Sequence, residues 1–156
     1  MPHPQILKIM KKWHIILSLA LAMFSLTSCF NHENAVAQIG NFDLMGYWAV
    51  TEDSRYETTL NIKAYYSLTE QGNLYYYECN NMVGVPFDGQ SIDTGKNFNC
   101  VFASGFELSG SDLNLMDGTQ SVKFATVTIT SPNTFLLSFE GSNAYTQTCQ
   151  RIISFK

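Results

Sequence analysis

From Met45 onward the chain alternates apolar and polar positions with a period of two, and the helical period is absent. The segment 58–69, TTLNIKAYYSLT, places Leu60, Ile62, Ala64, Tyr66 and Leu68 on one face and Thr59, Asn61, Lys63 and Tyr65 on the other. The turn Glu70-Gln71-Gly72-Asn73 then leads into Leu74–Cys79, a hairpin signal. Residues 122–130, VKFATVTIT, alternate again, and turns are expected at Ser131-Pro132-Asn133 and at residues 140–143. Strands are thus expected at 47–51, 58–69, 74–79, 98–103, 105–109, 111–116, 122–130, 135–139 and 145–155, with an irregular Gly- and Pro-bearing stretch at 80–96. About eight short strands joined by short turns predict an all-β domain, a small antiparallel up-and-down barrel. Closure also removes the exposed edges that so aromatic a chain would otherwise present.

The first thirty residues carry another pattern. Trp13 to Leu26 is a 14-residue apolar run without formal charge, preceded by Lys8, Lys11 and Lys12. As a helix it spans roughly 21 Å, short of the ~30 Å hydrocarbon core of a bilayer. Basic flank, short apolar core and small residues make the layout of a secretory signal. Met10-Lys11-Lys12 is a natural start for such a segment, so translation is expected to begin at Met10. At its end, Leu26-Thr27-Ser28-Cys29 resembles the lipobox of bacterial lipoprotein precursors. The resemblance implies cleavage before Cys29, a diacylglycerol on its thiol and an acyl chain such as palmitate on the new amine. The competing reading is ordinary signal cleavage, which leaves Cys29 as a disulfide partner. Two or more chains anchor a protein stably where one does so only marginally. Phe30 after the cysteine, rather than Asp, implies passage to the outer membrane by the same resemblance. The expected organisation is therefore a signal peptide at 1–28, a flexible tether at 29–43 and a barrel domain at 44–156.

Removing 28 of the 156 residues leaves 128, enough for one domain. Three of the nine Lys and Arg residues precede Cys29, and none of the thirteen Asp and Glu do, so the remainder carries a formal charge of −7. An acidic body with scattered charges argues against nucleic acid, which needs a basic face.

Gly46-Tyr47-Trp48 at the first strand resembles the G-x-W signature of lipocalins. In that family the tryptophan closes one barrel end beneath an arginine from the last strand, and Arg151 occupies that late position here. The resemblance covers about residues 45 to 155 and implies a lipocalin-like (calycin) barrel with Trp48 and Arg151 closing one end. In a barrel one alternating set lines the interior, and Tyr66, Tyr76, Phe98, Phe102, Phe124 and Phe139 are the expected inward rings. They either frame a cup for a small hydrophobic ligand or fill a narrow barrel, leaving an interaction protein that engages an envelope partner through exposed tyrosines and loop 80–97.

Catalytic and metal chemistry find little support. His32, in the tether, is the last histidine, so neither Ser–His nor Cys–His nucleophiles are available in the domain. Glu52 and Asp53 are adjacent in a turn-like, exposed stretch; on a strand they would point to opposite faces, which is not an acid/base pair. No spacing matches a zinc site, and no cofactor is expected. With Cys29 lipidated, three thiols remain. Cys79 and Cys100 flank the irregular loop and form the favoured disulfide, with Cys149 as an alternative partner for either.

Overall fold

The computed structural model describes residues 37–156 except Thr94 and Lys96. Eight strands form the barrel: β1 (Gly46–Asp53), β2 (Ala64–Leu68), β3 (Asn73–Cys79), β4 (Phe98–Ser109), β5 (Asp112–Asp117), β6 (Gln120–Ser131), β7 (Thr134–Phe139) and β8 (Tyr145–Ile152). Each pairs antiparallel with the next, and β8 returns to β1, closing an up-and-down barrel. Tight turns explain the order. Gly72, Gly110, Gly118 and Gly141 lie in the hairpin connections with positive φ, a conformation only glycine adopts without strain.

The strand pattern differs from simple alternation at four places where one residue is inserted. The ladder pairs Cys149 with Val50 but Thr148 with Glu52, leaving Thr51 as a bulge in β1. In β4, Tyr76 faces Phe102 while Tyr77 faces Cys100, so Val101 is extra. The pairing of β6 skips Phe124 on one side and Thr130 on the other. Each bulge swaps which residues point inward and increases local twist, the device by which a narrow barrel closes. The expected face 60–68 is broken too. Ala64, Tyr66 and Leu68 enter the core, whereas Ile62 belongs to a different cluster and Leu60 is 95% exposed.

Two apolar clusters result. The inner one fills the barrel and includes Trp48, Tyr66, Leu74, Phe106, Leu113, Phe135, Leu137, Phe139 and Cys149. The outer one gathers Ala49, Ile62, Tyr65, Val85, Ile92 and Ile152 on the opposite face of β1, β2 and β8. It is covered by the segment after β3, which pairs Val85–Pro86 with Asn61–Ile62 and Ser91–Ile92 with Ser154–Phe155. The irregular stretch is therefore a packed flap on the barrel wall.

Residues 37–43, expected to be tether, instead belong to the domain. Gln38–Ile39 pairs with Phe42–Asp43 as a small hairpin, and Ala37 and Leu44 are buried in the inner cluster. Apolar Ile39 and Phe42 carry the hairpin into the barrel end, a signal that its polar neighbours mask in the sequence. The signal segment, Cys29 and His32 lie outside the described residues.

Candidate functional site

The two barrel ends differ in chemistry. At the closed end Trp48 is fully buried and donates its indole N–H to Leu44 O at 2.7 Å. Phe42 stacks on it at 5.6 Å, and Phe135 meets it edge-on at 4.6 Å. Arg151 pairs with Trp48 across the ladder and lies over its ring at 4.1 Å. Its guanidinium donates to Met45 O at 2.8 Å and Asp43 O at 2.5 Å, tying the entering chain to the last strand. Burial lowers the pKa of this guanidinium from its ordinary value.

Above the closed end the interior is aromatic. Tyr66, Tyr76, Phe102, Phe124, Phe139 and Tyr145 form a chain of rings, from Tyr66–Tyr76 at 4.8 Å through Phe102–Phe124 at 5.8 Å to Phe139–Tyr145 at 4.2 Å. Five of the six expected inward rings are among them. Phe98 is not, because the Val101 bulge turns residues 98 and 100 outward, and Phe98 packs in the outer cluster.

The opposite end is a mouth with a cavity of about 280 Å³ beneath the β1–β2 loop. Val50, Ala64 and Tyr76 supply apolar wall, while Asp53, Arg55, Glu78 and Gln147 supply the polar groups. The Thr51 bulge sends Glu52 outward, where it accepts from Thr148, and brings Asp53 inward beside buried Gln147. A relay of hydrogen bonds runs from the core to the rim. Tyr66 Oη donates to Gln147 Oε1 at 2.7 Å, and Gln147 Nε2 donates to Asp53 Oδ2 at 2.7 Å. Arg55 donates to both oxygens of Asp53, at 2.9 and 2.6 Å. The Arg55 guanidinium also lies 3.8 Å from the centre of the Tyr145 ring.

These contacts set the ionisation. Burial alone would raise the Asp53 carboxyl, but hydrogen bonds from Arg55 and Gln147 outweigh it and hold the pKa below the usual value. The hydrogen bond to Asp53 holds Arg55 above its already high value. Burial raises Tyr66 strongly and, together with the neighbouring Glu78 carboxylate, Tyr76. The sequence pattern puts Asp53 in an exposed turn. Its inward position depends on the bulge at Thr51, which the alternation along the chain does not mark.

The expected Cys79–Cys100 disulfide is not formed. Cys79, Cys100 and Cys149 are all free thiols. The register sets Cys79 opposite Phe98 and Cys100 opposite Tyr77, so the two cysteines are diagonal neighbours. Diagonal positions lie about 7–8 Å apart, beyond the Cα separation of up to ~6.8 Å that a disulfide spans. Cys149 is buried in the inner cluster, and burial pushes its thiol far up. Among the described residues, no cluster of His, Cys, Asp and Glu could hold a metal ion.

Compared with known proteins, the chain matches no family model, no curated protein and no solved structure. What the fold and site define is a class of molecule: a closed eight-stranded barrel, plugged at one end and open at a charged, aromatic mouth.

Proposed function

We propose that this chain is a non-catalytic, lipid-anchored protein of the bacterial cell envelope that binds a small molecule at its barrel mouth. The observation that carries the binding reading is the cavity under the β1–β2 loop, with Val50, Ala64 and Tyr76 on one side and convergent polar groups on the other. Concave sites of this make-up, apolar walls with a few placed polar atoms, are the usual form of small-molecule pockets. The rings below fill the axis of the barrel, so the ligand sits at the rim and is amphipathic rather than wholly apolar. The anchoring reading rests on Leu26–Cys29 and the signal layout before it. Ala37, the first described residue, is buried in the inner cluster, and its carbonyl accepts from the Leu44 N–H. Trp48 under Arg151 supports the lipocalin-like reading of the barrel.

A second reading is favoured by the same filled interior. Tyr47 and Phe155 are partly exposed on the outer wall, 4.7 Å apart and edge to face, beside the stacked pair Tyr65 and Tyr77. That surface suits an envelope protein partner. Native mass spectrometry of the full chain extracted in detergent separates the two. A co-purified small molecule that is lost in Tyr76→Ala supports mouth binding. A cross-linked protein lost in Tyr47→Ala, with no small molecule, overturns it. Metabolic labelling with an alkyne palmitate tests the anchor, and label persisting in Cys29→Ser would refute it.

A further inference from the structure

We infer that the barrel mouth recognises a small organic cation, an alkylammonium or alkylguanidinium, and that Arg55 occupies the cation position until such a ligand displaces it. This rests on the mouth being a ligand site and names the chemistry of its ligand.

The first ground is what already sits there. Arg55 lies 3.8 Å from the centre of the Tyr145 ring and 5.2 Å from that of Tyr56, with Asp53 accepting from both Nε and Nη2. An aromatic face with a bidentate carboxylate is the arrangement that binds guanidinium and ammonium groups. Here the occupant is the chain's own side chain, carried on the loop that covers the cavity. The second ground is charge. Glu52, Asp53, Glu57 and Glu78 border the cavity against Arg55 and Lys63. Swinging Arg55 away leaves these four carboxylates, Glu52 turned to the outer side, on the border against one ammonium, a field that repels an anion and draws a cation. Arg55 is also poorly placed as an anion receptor, because Nε and Nη2 are committed to Asp53.

The third ground is that displacement leaves the fold intact. The Arg55 side chain is 40% exposed and lies in the turn after β1, so its release rotates one side chain and breaks no strand pairing. The Arg55 backbone N–H donates to Asp53 Oδ1, which preserves the turn after the guanidinium leaves. The cavity of about 280 Å³ leaves room for a short chain against Val50, Ala64 and Tyr76.

The experiment titrates the purified full chain with hexylamine, hexanoate and hexanol, read by calorimetry and by the resonances of Tyr76 and Gln147. Hexylamine is expected to bind at least about tenfold more tightly than hexanoate. Arg55→Gln is expected to tighten hexylamine about fivefold by removing the internal competitor. Glu78→Gln leaves the Arg55 contacts intact, so it keeps the test decisive if Arg55→Gln fails to fold. It is expected to weaken hexylamine severalfold while leaving hexanol unchanged. A preference for hexanoate, or no tightening in folded Arg55→Gln, overturns the inference. Hexanol binding as well as hexylamine also overturns it but leaves the mouth as a ligand site. If none of the three moves the Tyr76 and Gln147 resonances, the site reading falls as well.

Discussion

Replacing Arg151 with Ala tests how the barrel end is closed. The guanidinium makes two charged hydrogen bonds, to Met45 O and Asp43 O, and lies over the Trp48 ring. Charged hydrogen bonds contribute roughly 1.5–3 kcal/mol each and a cation–π contact ~0.5–2 kcal/mol. The group is only half-buried and water replaces part of what is lost, so the expected destabilisation is about 2–4 kcal/mol, mostly below that sum. For a domain of this size that lowers Tm by roughly 10 °C. Arg151→Lys keeps a charge but a compact ammonium cannot span both carbonyls and the ring, so it should recover less than half of the loss. Urea unfolding monitored by circular dichroism gives the magnitude. Hydrogen exchange gives the place: the Trp48 indole N–H and the Leu44 amide, which donate to Leu44 O and Ala37 O, should exchange faster than amides of β5 and β6. A change below about 0.5 kcal/mol, or acceleration spread evenly over the barrel, would refute the claim that this side chain pins the 37–45 segment.

Four further outcomes are expected from the same structure. The Asp53 pKa is lowered in the folded chain, so its contribution is fully present above the unfolded value of about 4 and is lost as pH falls through the folded value. Asp53→Asn should flatten that acid limb in stability measured from pH 6 to 2, and an unchanged limb would contradict the relay. At the alkaline side Tyr65 is pushed up to about 12, and Tyr66 and Tyr76 are raised too. Their stabilising contribution holds below the unfolded value near 10 and is lost as pH rises through the folded values, so absorbance titration should show phenolates from these rings appearing with unfolding. Thiol labelling of the three described cysteines should proceed in the order Cys100, Cys79, Cys149, with Cys149 reacting only on unfolding. Rapid labelling of Cys149 in the native chain would show that the inner cluster opens. Phe135→Ala, removing a ring that is 2% exposed and wedged on Trp48, should cost about 3–5 kcal/mol in the same unfolding assay.

The alternation along the chain and its turn residues were sufficient to determine an all-β, antiparallel, up-and-down barrel, because side chains alternate faces with period two and short turns join only neighbouring strands. Trp48 and Arg151 could be singled out as residues, one near each end of the domain. Their meeting at 4.1 Å is a consequence of the β8–β1 pairing that closes the barrel. Tertiary structure alone decided the rest. Whether Phe98 points in or out depends on one inserted residue at Val101, and whether Asp53 is a surface charge or the pivot of the mouth depends on another at Thr51. A bulge shifts register by a single position, and a period-two pattern carries no mark of where that shift is placed. The same holds for residues 37–43: their polar composition reads as tether, and only the barrel end they fill makes Ile39 and Phe42 part of a core.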